Sequence, residues 1–439
     1  MQGVGVVLEP DSLSERTRRA AREVLEGRRK GLRALLPFAG PAFIASVAYM
    51  DPGNFATNVQ GGASFGYRLL WVVVFANVTA MLFQALSAKL GIVTGKNLPE
   101  VCRERFSTRT AIGMWLVSEV GAMATDLAEL LGAAIGLSLL FHLPLLIGVV
   151  VAAIATYAVL LMQSKGFRQV EALIASLVGV IAVCYVLETV LARPDLGQIA
   201  FHSVVPWLGS PLALVLAVGI IGATVMPHAI YLHSSLTQDR IVPESRAEMG
   251  VIVRFSNIDV LIALGLAGIV NVAMMYMSAA VFHFHGHPEV ASIESAYQTL
   301  TPLLGSAAAA IFLTSLMASG ISSSVVGTMA GQVIMQGFVG FTIPLWVRRL
   351  VTMLPTVIIV ALGVNATKAL ILSQVVLSIV LPLPIIVLLI FTNKRAIMAD
   401  LVNTPVVKIL GTTASAVIII LNIVLIWQTL GLPVPGLTR

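Results

Sequence analysis

The chain has 439 residues, of which 58% are hydrophobic and only 11% charged, with a formal net charge of +6. A soluble domain carries roughly 25% charged residues, so a water-soluble fold of this size could not hide so much apolar surface. The basic balance does not point to nucleic acid, because the cations sit in short connections between long apolar stretches rather than in one patch.

The first 35 residues are polar and Arg-rich with no apolar core, so they read as a tail and not as a cleavable signal peptide. Ser12-x-x-Glu15 fits a capping box, so 11–34 is a candidate surface helix whose arginines could touch anionic lipid. A solvated tail is the plainer expectation. From residue 36 onward the spacing predicts eleven membrane-crossing helices, at about 36–66, 69–93, 111–140, 143–163, 170–192, 211–236, 257–282, 299–330, 345–364, 369–392 and 407–430. Stretches such as Leu69–Ala88 and Ile262–Phe282 reach the roughly 20 apolar residues that a bilayer crossing needs. No long polar stretch separates the spans, so 36–439 reads as one transmembrane domain after a 1–35 tail, with repeat halves at about 36–192 and 211–392.

Orientation follows from Lys and Arg in the connections. With the N-terminus in the cytoplasm, 23 of the 27 lie inside, leaving Arg68, Arg193, Lys368 and Arg439 outside. This predicts a multi-pass protein of the cell (plasma or inner) membrane, with the N-terminus cytoplasmic and the C-terminus outside.

Two spans carry helix-breaking residues at mid-membrane. In the first, Ala48-Tyr49-Met50 is followed by Asp51-Pro52-Gly53-Asn54; in the sixth, Ala223-Thr224-Val225 is followed by Met226-Pro227-His228. Proline lacks an N–H and clashes with the preceding turn. Broken backbone inside a bilayer survives only where it is buried in protein or lines a wet cavity. An offset of five spans is the spacing expected of two five-helix halves of opposite topology, with the substrate site between their discontinuous helices. A single proline kink would be unremarkable in a membrane helix; two, each flanked by ligand-type side chains, favour a site.

At these breaks Asp51 offers a carboxylate, Asn54 an amide oxygen and Met226 a thioether, and the unwound backbone frees the carbonyls of Ala48 and Ala223. An ionisable residue at mid-membrane is a functional hypothesis by default. One carboxylate with neutral donors suits a cation, and soft sulfur narrows it to a transition metal, since Ca²⁺ and Mg²⁺ prefer all-oxygen shells. Met226 alone would be read as packing, because the chain has 16 methionines. The third span carries Glu119, Asp126 and Glu129 at spacings of seven and three, which places them on one helical face. Opposite charges are available in Arg240, Arg348 and Arg349. His228 and His233 follow Met226 along the sixth span. Together these supply a chain of titratable groups for a proton; the alternative is a static ion-pair network, strongest for Glu119 and Arg240.

The pair Asp51-Pro52-Gly53-Asn54 and Met226-Pro227-His228 resembles the signature of the Nramp (natural resistance-associated macrophage protein) family. Gly331-Gln-Val-Ile-Met-Gln-Gly-Phe338 is similar to the family's transport segment after the eighth span, and the resemblance extends over all eleven spans. It implies a proton-coupled importer of divalent transition metals, Mn²⁺ and also Fe²⁺, with the leucine-transporter fold: an all-α inverted repeat of five plus five helices and an eleventh, helices one and six unwound. It maps the metal site onto Asp51, Asn54 and Met226, with the Ala48 and Ala223 carbonyls contributing in different conformations. Gln374 in the tenth span and Asn271 in the seventh resemble polar residues that approach the metal in closed states. It assigns proton transfer to acids of the third span and an arginine of the ninth, with Asp51 as acceptor, Asp126 and Glu129 as relay, and Arg349 ahead of Arg348 as partner.

Partners are then a divalent metal ion, protons and the lipid bilayer, with no cofactor, nucleic acid, ATP or obligate protein partner. No phosphate-binding loop is present and no His-Glu-x-x-His motif, so neither ATP-driven transport nor an intramembrane metalloenzyme has a sequence basis, and the chain reads as a non-enzyme. A sodium-coupled organic-solute symporter of the same architecture is the alternative; Met226 argues against it. Cys102 and Cys184 stand in no metal-ligand spacing. The triplet His283-Phe-His-Gly-His287 could capture a metal, but a solvated loop is the expectation, and the sequon Asn365-Ala-Thr367 carries no weight here.

Overall fold

Every backbone amide in a bilayer must find a partner within the chain, and helices supply one for each residue without help from neighbours. A computed structural model describes residues 13–162, 167–192, 194–238, 240–290, 292–341 and 343–432, and it is helical along nearly all of them. The first span runs as Pro41–Val47, a tight turn Ala48–Met50 and then Pro52–Phe65. The second to fifth are Leu70–Thr94, Thr108–Phe141, Leu145–Met162 and Phe167–Ala192. The sixth is again split, Pro211–Thr224 and Pro227–Gln238. Then follow Arg246–Val281, Ser306–Val339, Leu345–Ala361, a tenth span Ala366–Val380 with Pro382–Thr392, and Pro405–Thr429. Among the described residues, eight helical stretches are long and apolar enough to cross a membrane. One of them, Pro52–Thr94, contains both the trailing half of the first span and the whole second.

Four features depart from the sequence reading. The eighth span begins at Ser306, because Gly305 at φ 92 ends a separate helix Ile293–Leu304. The segment Gly331–Phe338 is therefore the end of the eighth span and not a connection after it. The tenth span also breaks, at Leu381-Pro382, where the missing proline N–H interrupts the ladder. The tail is not simply solvated: Leu13–Leu25 is a helix whose Ala21 and Val24 are buried. Ser12 of the capping-box pattern lies outside the described residues, as do Lys165, Arg193 and Arg439 of the charge count.

The third and eighth spans form the most extensive helix pair. Small residues allow it: a Cβ on Gly320 would come within 2.6 Å of the Ala133 amide nitrogen, so only glycine permits this approach. The second span packs along the seventh and along the trailing half of the sixth. Between these two pairs lie the broken segments, with Ala48, Tyr49, Met50, Asp51, Asn54, Ala223 and Met226 all essentially inaccessible.

Candidate metal site at the paired helix breaks

Asp51 caps the trailing half of the first span. Its carboxylate accepts from the amides of Gly53 (2.9 Å) and Asn54 (3.0 Å), and Pro52 at the first helical position has no N–H to satisfy. The sequence Asp-Pro-Gly-Asn thus starts a new helix at mid-membrane and fixes its only acid there. The side-chain nitrogen of Asn54 donates to Asp51 Oδ1 (2.7 Å) and to the carbonyl of Ala223 (3.0 Å). Thr224 donates in turn to Asn54 Oδ1 (2.9 Å). One amide therefore ties the break of the first span to that of the sixth, and two candidate ligand oxygens, Asp51 Oδ1 and the Ala223 carbonyl, converge on the same point.

Of the other predicted ligands, Gln374 is brought against Gly53 and Asn271 against the Tyr49 carbonyl. Met226 occupies the break of the sixth span and is fully buried. Gln374 lies against Gly53, whose hydrogen in place of a Cβ leaves room for the Gln374 amide, and Gly222 packs on the Gln374 carbonyl in the same way. Gln374 Oε1 and Asn271 Oδ1 are buried with no hydrogen-bond partner among the described residues. Asn271 Nδ2 donates to the carbonyl of Tyr49 (2.8 Å), inside the turn that Ala48 opens. The leading halves of both spans end here on their carbonyls, the negative ends of their dipoles, which favours a cation. A carboxylate, amide oxygens, backbone carbonyls and a thioether make a donor set for one ion of intermediate softness. Among the described residues no three His, Cys, Asp or Glu come together. Chemistry of this kind is carried by the break and not by a clustered ligand motif.

The acids of the third span face the eighth and ninth. Glu119 pairs with Arg348 at 3.2 Å and accepts from Trp115 Nε1 at 2.9 Å, while Arg348 also donates to the Gly331 carbonyl. Asp126 lies 3.6 Å from Arg349, which donates to Ser324 Oγ (2.6 Å) and to Thr328. The two arginines that the sequence offered as alternatives thus each take one acid. Glu129 is fully buried against Gly327, and neither oxygen has a hydrogen bond of ordinary geometry, though the Ser323 hydroxyl lies close.

The histidines divide. His228 Nδ1 meets Thr125 of the third span at 2.9 Å. His233 instead meets Gln84 of the second span (2.8 Å), which donates to the Tyr49 hydroxyl (2.6 Å). Five residues turn a helix by roughly 140° beyond a full turn, so the two rings face different neighbours. The Arg240 guanidinium donates to the Ala39 carbonyl (2.7 Å) at the start of the first span. It lies past the end of the sixth span, nearer the first span than the third. Thr224, Ser319, which donates to the Met50 carbonyl, and the Tyr49–Gln84 pair were not singled out by sequence, since lone Ser, Thr and Gln carry no spacing signal. His283 and His285 each turn Nδ1 to a separate carbonyl, Ala63 and Ala280, and His287 pairs with Glu289, so the triplet does not converge.

The profile of the Nramp family, described as natural resistance-associated macrophage protein-like, matches residues 42–428. The chain belongs to this family. A divalent metal cation transporter, MntH, of Verminephrobacter eiseniae is 59% identical over 424 residues, covering 97% of this chain and 96% of that one. A manganese transporter of Eremococcus coleocola, crystallised with an aromatic bis-isothiourea compound, superposes with a TM-score of 0.81 at 36% identity, covering 90% of this chain and 88% of that one. A nucleobase-cation-symport-1 family transporter, solved in a closed conformation, matches at TM-score 0.58 and 14% identity, covering 91% and 95%. That last likeness, at 14% identity, extends to the fold alone. This Nramp chain has the predicted fold class in full.

Proposed function

We propose that this protein imports divalent transition-metal ions, Mn²⁺ foremost and Fe²⁺ with it, in symport with protons by alternating access. The observation that carries the reading is the single amide of Asn54 bridging Asp51 of the first span and the Ala223 carbonyl of the sixth, with Met226 buried in the same break. An arriving cation replaces that donor between the two oxygens, the Asn54 amide turns its oxygen inward, and Met226 supplies the sulfur that Ca²⁺ and Mg²⁺ do not seek. The divalent metal cation transporter of Verminephrobacter and the manganese transporter of Eremococcus support a divalent metal ion as the cargo.

The proton leaves Asp51 along Glu129 and Asp126 toward Glu119, with Arg349 and Arg348 as counter-charges and His228 beside the site. The tail-bearing side is the cytoplasm and the C-terminus lies outside. An inside-negative potential then adds about 2.3 kcal/mol per elementary charge at 100 mV.

Uptake of Mn²⁺ into proteoliposomes with simultaneous recording of internal pH tests this directly. Saturable uptake accompanied by internal acidification, indifferent to excess amino acid and to Na⁺, is expected. Uptake that leaves internal pH unchanged removes the coupling, and Na⁺ dependence removes the proton as driving ion.

A further inference from the structure

The tail-bearing end of the first span is held in place by groups far away in sequence. Its leading half begins at Gly40, which has φ 132 and no cap of its own. The cap comes from the seventh span: Asp259 accepts from the amides of Gly40 (3.3 Å) and Ala42 (3.0 Å), a carboxylate at a helix N-terminus. Phe38, just before it, stacks on Phe255 of the seventh span with ring centroids 4.6 Å apart. Arg240 holds the Ala39 carbonyl from the other side.

The tail helix Leu13–Leu25 closes over this junction. Ala21 and Val24 pack into one apolar cluster with Phe38, Ile92, Ile241, Ile252 and Val253, drawing in the first, second and seventh spans. Arg22 pins the helix by ion pairs to Glu248 (3.0 Å) and Glu244 (2.5 Å) and by a hydrogen bond to the Val242 carbonyl (3.1 Å). Glu244 is 73% exposed, so the pair with Glu248, 23% exposed, is the more consequential. A segment that served only to orient the chain in the bilayer would need none of these contacts.

We infer that the helix Leu13–Leu25 is a strap that holds the leading half of the first span against the seventh and favours the state closed on the tail-bearing side. This rests on the alternating-access reading above. Outward movement of Pro41–Val47 on that side has to part Phe38 from its cluster, and the strap stabilises that cluster.

The test uses Ala45→Cys, in the leading half and inaccessible here, in the full chain with Cys102→Ser and Cys184→Ser, in inside-out membrane vesicles. A membrane-impermeant maleimide reports exposure of position 45. Arg22→Glu is expected to speed labelling about fivefold, the scale of a part-exposed ion pair lost from a two-state equilibrium. Adding Glu248→Arg to Arg22→Glu is expected to restore slow labelling. If Arg22→Glu does not reach the membrane, Arg22→Ala and Glu248→Gln carry the same comparison. Mn²⁺ uptake by the protein with native Arg22 is measured in parallel in right-side-out vesicles from the same cells. Uptake with labelling unchanged in the Arg22 variants overturns the strap and leaves the transport reading standing. No Mn²⁺ uptake even with Arg22 intact removes the transport reading and the strap with it.

Discussion

Two regions of this protein bury acids in a membrane, and they do so in opposite ways. At the helix breaks, Asp51 has no cationic partner among the described residues; its oxygens meet amide hydrogens from its own helix start and from Asn54. In the third span, Glu119 and Asp126 each face an arginine of the ninth. A carboxylate held only by neutral donors keeps its charge available for an incoming cation, whereas a carboxylate facing a guanidinium is already compensated. The difference is the ground on which we propose binding at the first region and charge relay at the second, although both look alike as acidic residues in apolar helices.

The sharpest way to break this contrast is to remove the uncompensated charge. Asp51→Ala is expected to weaken Mn²⁺ binding by at least about 100-fold, since a charged ligand contributes a few kcal/mol and each 1.4 kcal/mol is tenfold. Calorimetric titration checks it, and retained affinity would move the site elsewhere. Gly53→Ala removes no ligand side chain, yet its new Cβ meets the Gln374 amide and crowds Asp51 Oδ2 at 2.7 Å. Uptake should fall about 10-fold or more, on the scale of a misplaced binding geometry; wild-type rates would show that the close packing of Gln374 on Gly53 is incidental.

Met226→Ala tests the softness of the site. Cd²⁺ affinity should drop about tenfold, and discrimination against Ca²⁺ should narrow, because only the thioether favours soft metals. Competition of Cd²⁺ and Ca²⁺ against Mn²⁺ measures both, and equal exclusion of Ca²⁺ without the sulfur would contradict the selectivity argument. The smallest expected effect on binding is at Asp126→Asn. Mn²⁺ affinity should stay as it was, while the dependence of uptake on external pH flattens; an unaltered pH profile would return Asp126 and Arg349 to a purely structural pairing.

Much of the geometry of the candidate site was legible in the sequence. Asp-Pro-Gly-Asn and Met-Pro-His announce helix ends by their prolines, and Asp51, Asn54 and the Ala223 carbonyl do meet across them. The acids of the third span share a face, as their spacing required. Other contacts were invisible for identifiable reasons. Thr224 and Ser319 act through single hydroxyls with no periodic pattern. His228 and His233 read as one line along a helix, but five residues of helical rotation send one to the third span and the other to the second. The contact of Arg240 with the Ala39 carbonyl had no signal in the sequence either. Gly305 divided a run of residues that hydropathy alone had joined.

Composition and the runs of apolar residues determined that this chain crosses a membrane as helices and where two of them come undone, because a bilayer leaves the backbone no other way to satisfy its amides. Which arginine faces which acid, how Gln374 fits against Gly53, and that the tail helix docks on the seventh span were decided only by tertiary packing. Those outcomes depend on rotations and distances between segments far apart in the chain, and no local pattern of residues encodes them.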